Sequence, residues 1–244
     1  MRAKRLWTGR ALFLGLSAAA VAGLSAQEHH HPSQPGQQGL SGYAQMDPHM
    51  KVTVKRPANP EDIERAEQIV QETKKVMERF KDYRVALEEG YKIFLPQLSL
   101  PEHHFTNYRH GFEAAFRLSI ERPTSLLYVR ESDGYRLTGV MLTAPASASL
   151  EELDHRVPLS VAQWHLHVNF CMPPSGQRGE MLRPSSRFGL QGSISTEEEC
   201  LEAGGRFLPR LFGWMVHVYP YEDTMEKIFR MPGHHQHGEK HEHQ

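Results

Sequence analysis

The stretch from residue 59 to residue 90 constrains the fold of this chain more than any other. Ile63, Ala66, Ile69, Val70, Val76, Met77, Phe80, Tyr83 and Leu87 recur at helical spacing, and the opposite face is charged. Asn59 suits an N-cap and Pro60 a first turn. Glu61 and Asp62 favour the positive end of the helix dipole, and Gly90 supplies the stop. A helix apolar along one stripe must bury that stripe. The pattern therefore predicts a helix lying on a core, in preference to a coiled-coil partner.

The periodicity after Gly90 indicates what that helix lies on. Pro96 and Pro101 break the chain into a loop holding Glu102, His103, His104 and Asn107. Residues 125–130 and 135–143 read as two strands joined through Ser132-Asp133-Gly134, because Asp-Gly between apolar runs favours a hairpin. Residues 161–170 and 213–219 read as two more. The Pro-, Gly- and Ser-rich segment 172–212 reads as a long excursion between them, with a short helix near 196–203. Strands grouped apart from helices predict an α+β domain over residues 59–231: a long N-terminal amphipathic helix packed on a small antiparallel β-sheet.

The ends of the chain carry a different signal. Arg2, Lys4, Arg5 and Arg10 precede an apolar run over 11–24, and small residues follow before Gln27. A basic head, a short apolar centre and a small-residue exit make a secretory signal peptide over 1–26. The expected location is periplasmic or secreted. The run is also shorter than the roughly 20 residues a spanning helix needs. Removing its four basic residues moves the net charge from −1 to −5. That balance leaves no basic face for nucleic acid or anionic lipid. Residues 27–58 and 232–244 are rich in polar residues and histidine, and read as a flexible leader and tail. Such His tracts can gather divalent metals weakly. Two cysteines in an exported chain predict one disulfide, Cys171–Cys200, stapling the excursion to the end of a strand.

The densest chemistry is Trp164-His165-Leu166-His167-Val168. Alternate side chains of a strand share a face, so His165, His167 and Asn169 point one way and Trp164, Leu166 and Val168 the other. Trp214-Met215-Val216-His217-Val218 repeats the arrangement, with His217 in the place of His167 and Met215 in that of His165. If the two strands are neighbours, three imidazoles and one thioether converge. Three histidines suit zinc, copper, nickel or non-haem iron, and a thioether tilts the choice toward copper. His104, or its neighbour His103, is the loop residue placed to complete the set. Cys171 shares the parity of His165 and His167, but pairing with Cys200 is the stronger expectation. His155, beside Asp154 and Arg156, reads as part of a surface charge cluster.

Residues 61–222 resemble an uncharacterised family of secreted bacterial proteins. The resemblance lies in Glu89-Gly90-Tyr91, in His104-Phe105-x-Asn107 and in Arg122-Pro123-x-x-Leu126-Leu127-Tyr128. It continues through Gly134-Tyr135-Arg136-Leu137-x-Gly139-Val140 and a late strand carrying His-Val. It implies domain limits and export, with no activity attached. The tandem His-x-His is also similar to that of cupins. Cupins, however, place a glutamate a few residues beyond the second histidine, where this chain has Asn169, Cys171 and Met172. The gap from His167 to His217 is also long for a cupin, so that family is not adopted.

The sequence thus favours a periplasmic or secreted transition-metal-binding protein, copper or zinc, with ligands His165, His167 and His217 and a fourth from His104, His103 or Met215. A metal-dependent enzyme, hydrolytic or oxidative, would use the same centre with an open position, and Glu102, Glu113 and Glu180 are its possible bases. A non-metal interaction module, with histidines serving as core hydrogen-bonders, is the third reading.

Overall fold

Eight strands form a single antiparallel sheet in the order β1-β2-β7-β8-β6-β5-β4-β3. The strands are β1 (Tyr43–Asp47), β2 (Met50–Thr53), β3 (Lys92–Ile93), β4 (His103–Thr106), β5 (Ser125–Glu131), β6 (Gly134–Ala144), β7 (His165–Met172) and β8 (Arg206–Val218). Between them run the helices α1 (Pro60–Arg79), α2 (Tyr83–Glu88), α3 (Tyr108–Ala114), α4 (Leu150–Arg156) and α5 (Glu197–Glu202), and α6 (Met225–Ile228) follows β8. This computed structural model describes residues 42–97, 100–183 and 185–231. The expected signal peptide, most of the leader and the His-rich tail lie outside the described residues. Among the described residues no helix is long and apolar enough to cross a membrane.

The expected architecture, one long N-terminal helix on a small sheet, is overturned: the eight-stranded sheet is the dominant element, and the helices other than the 20-residue α1 are short. The helical run expected over 59–90 divides in two. Asn59 caps α1 through a reciprocal capping box with Asp62, but α1 ends at Phe80, whose carbonyl accepts the buried Tyr128 hydroxyl. Asp82 then caps α2 through the Arg84 amide. Periodicity continues across the break because both helices lie on the same core, so the apolar pattern alone did not show it.

Residues 43–53, expected in a flexible leader, instead form β1 and β2. Their backbone groups are satisfied by β7, where Met50 lies opposite His167 and Val52 opposite His165. The expected loop around His103 and His104 is strand β4, paired with β5. Strand β8 begins at Arg206, inside the segment expected to be an excursion.

One face of the sheet carries the main core. Phe105, Tyr128, Leu142, Trp164, Leu166, Trp214 and Val216 pack there with Ala66, Ile69, Val70, Val76 and Phe80. The sheet curls strongly toward its other face. Adjacent strands stand about 4.8 Å apart, so β8 and β4, with two strands between them, would lie about 14 Å apart if flat. Yet the rings of His104 on β4 and His217 on β8 have centroids 5.5 Å apart. Phe94, just past β3, meets Phe212 on β8 at 5.9 Å.

The curl has identifiable causes. Register shifts interrupt β5–β6 at Leu127/Tyr128 and β7–β8 between His165 and His167. Asn169 and Phe212 hold positive φ angles of 53° and 63°. Such bulges bend a strand and increase its local twist. At Gly213 a Cβ would lie 2.1 Å from the Ala144 carbonyl oxygen, so only glycine lets β8 approach β6 there.

Candidate metal centre

Strand alternation delivers the histidines to the concave face. On β7, Trp164, Leu166 and Val168 belong to the main core, which turns His165 and His167 the other way. On β8, Trp214, Val216 and Val218 do the same for Met215, His217 and Tyr219. On β4, Phe105 enters the core against Tyr83, Tyr128 and Tyr135, so His104 faces the concavity. His103 therefore lies on the helix side, its ring edge-on to Tyr135 at 5.5 Å, far from any shared set of ligands.

Four histidines thus meet. Ring centroids are 5.1 Å apart for His165 and His217, 5.6 Å for His165 and His167, and 5.5 Å for His104 and His217. His165 and His217 are buried, with 1% and 2% of their surface exposed. Nδ1 of His165 and both ring nitrogens of His217 have no hydrogen-bond partner. An unpartnered buried polar group costs about 1–3 kcal/mol. His103 is equally unpartnered, but it meets the Tyr135 ring away from the other histidines, so among the described residues only the concave face combines bare imidazole nitrogens with convergence.

Burial, reinforced by the neighbouring histidines, pushes His104 down to about 4 and His165 to about 3, and holds His217 well below the ordinary imidazole value. His167 is lowered by burial too, against an opposing pull from Asp47 and a hydrogen bond to the His49 backbone. At neutral pH all four rings are uncharged, which is the form that binds metal. As the side chains stand, no group of three or more His, Cys, Asp or Glu among the described residues is arranged to hold a metal ion.

Two thioethers flank the histidines. Met215 lies opposite His165 in the β7–β8 register, and Met141 on β6 lies opposite His217. Both belong to a small cluster with Leu127 and Tyr219. Met141 escaped the sequence reading because its partner depends on register. Its period-2 position in the strand was the only available signal.

The expectation that Asn169 and Cys171 share the face of His165 and His167 needs correction. The positive φ of Asn169 resets the alternation, so Phe170 and Met172 line the concave cavity. Cys171 turns away and is joined to Cys200 in a disulfide, packed with Ile194 and Phe188. The Asn169 side chain instead donates to the Pro48 carbonyl.

A cavity of about 1190 Å³ opens over the histidines, with Glu102, His104, His167, Met141 and Met215 in its wall. Glu102 is the one sequence-named base that lies there with the histidines. Its carboxylate accepts the Thr138 hydroxyl at 2.8 Å and the Tyr219 hydroxyl at 2.8 Å. The Tyr219 ring lies 6.2 Å from that of His217, and burial together with Glu102 raises its phenol well above the ordinary range. Glu113 is bound instead to Arg109 and Arg122, and Glu180 to Arg183. No family model matches the chain, and neither the curated proteins nor the solved structures contain a significant match.

Proposed function

We propose that this protein binds one transition-metal ion, copper or zinc, through His104, His165, His167 and His217. The observation that carries the reading is the set of imidazoles gathered from three strands onto one concave face, with His165 and His217 buried and carrying unpartnered nitrogens. Imidazoles sharing a tetrahedral ion at about 2.1 Å have ring centroids roughly 5.3 Å apart. The three separations of 5.1–5.6 Å match that spacing. Uptake of the ion then requires rotation of the rings and little movement of the strands. Met141 and Met215 beside the histidines favour copper, because soft sulfur prefers Cu(I).

A second reading, a metal-dependent enzyme using the same centre, is favoured by the cavity and by Glu102 in its wall. A site devoted to structure or storage has no need of such an opening, whereas a catalytic metal keeps a position for substrate.

Elemental analysis tests the first reading. The protein is truncated before residue 232 to remove the five tail histidines and purified without added metal. One equivalent of copper or zinc is expected in the parent, and none in His167→Ala or His217→Leu with the fold intact by circular dichroism. Metal-free protein that takes up no ion on titration would refute it.

A further inference from the structure

The cavity above the histidines is specific enough in composition to name a ligand class, which deepens the reading above and rests on it. Its wall contains four phenylalanines and four methionines, among them Phe94, Phe212, Met141 and Met215. Aromatic edges and polarisable thioethers together favour a flat aromatic body. The Phe94 and Phe212 rings already meet edge to face at 5.9 Å and bring strand β8 against the end of β3. Glu102 and Thr106 join His104 in the wall, and Arg178, Arg183, Ser186 and Gln191 are among its other polar residues.

Glu102 decides what the polar end of the ligand must be. One oxygen accepts the Tyr219 hydroxyl and the other shares the Thr138 hydroxyl with the Leu127 carbonyl, so each keeps a further lone pair. The carboxylate can therefore accept another donor. Thr106 is bonded to Ser125, and Thr124 to Thr143, so these wall hydroxyls are already paired. We infer that the cavity binds an aromatic molecule bearing a hydroxyl group, with the ring among the phenylalanines and methionines and the hydroxyl donating to Glu102, in the wall that also holds His104 and His167.

The probes are 2-naphthol and 2-methoxynaphthalene, which share a ring system but differ in the donor. Their binding to the full chain is followed by probe fluorescence, and the metal content of each sample is measured in parallel. The expected result is that 2-naphthol binds at least tenfold tighter than 2-methoxynaphthalene, and that Glu102→Gln shrinks this preference toward unity. Ala146→Trp, which places an indole at the cavity wall, is expected to weaken both probes at least tenfold without changing metal content. With metal present, failure of both probes to bind, or a preference that survives Glu102→Gln, overturns the inference and leaves the metal reading standing. Absence of metal uptake overturns the metal reading, and the inference falls with it.

Discussion

Arg56 and His217 are both polar groups drawn out of water, and the molecule treats them in opposite ways. Arg56 uses all five of its N–H donors: two on Asp62, two on Asp154 and one on the Pro57 carbonyl. Asp62 in turn accepts the Asn59 amide, and Asp154 the Leu159 amide. The cluster ties the chain after β2 to the start of α1 and to α4, and no donor of its guanidinium is left without a partner. His217 has two nitrogens and no partner for either, though it lies within ring contact of His104 and His165. A closed polar cluster holds the fold together. An open one costs stability that a partner for its bare nitrogens would return.

Breaking the closed cluster should have the largest effect. Arg56→Ala strands two carboxylates, one of them 2% exposed, and losing one partner of such a buried set costs about 3–5 kcal/mol. Urea unfolding is expected to show that loss with metal content unchanged. A loss below 1 kcal/mol would mean that water replaces the guanidinium and that the cluster is not holding α1 and α4.

Acid separates the two clusters by pH. The Arg56 guanidinium holds Asp62 down to about 2, below its ordinary value of 3.8. Its contribution is fully present above about pH 4 and is lost as pH falls through 2. His104 and His165 are also depressed, but an imidazole is kept neutral by that shift. The unfolded chain takes up their protons near pH 6.5 and the folded chain only near 4 and 3. Metal-free protein should therefore lose stability from pH 6.5 downward through the histidines, and lose more below pH 4 through Asp62. Denaturation midpoints across pH 7.5 to 2.5 are expected to show both limbs. Asp62→Asn should flatten only the lower limb and His104→Leu part of the upper. A single limb that neither variant alters would remove the distinction.

The open cluster was partly legible in the sequence, because period-2 alternation is local. Trp164-x-x-His167-Val168 and its repeat at Trp214 fixed which faces His165, His167 and His217 present, and neither half needed knowledge of the other. Asp133-Gly134 likewise marked the β5–β6 turn. Non-local features were not legible. Strands β1 and β2 look like polar leader because their stability comes from pairing with β7, some 115 residues away. His104 reaches His217 only because the sheet curls across two intervening strands. The positive φ at Asn169 reverses the alternation after His167, and no neighbouring residue announces it. Met141 and Glu102 join the site through strand register and tertiary hydrogen bonds, which depend on those same long-range features.

The smallest expected effect has the opposite sign to the first, and it tests the comparison most directly. His217→Leu removes two buried nitrogens that bond to nothing and replaces the ring with an apolar side chain beside Met141, Met215 and Leu127. Relieving an unpartnered buried polar group should stabilise the metal-free protein by about 1 kcal/mol, less whatever the change of shape costs. The same variant is expected to bind no ion and to show no rise in melting temperature with excess copper or zinc, where the proposed site predicts a rise in the parent. Gaining stability while losing binding is what a ligand site predicts of its own residues. A fall of 3 kcal/mol or more in the metal-free variant would mean that His217 already has a partner in solution. The imidazole would then belong with Arg56 among the groups that hold the fold, and the case for a metal there would rest on His104, His165 and His167 alone.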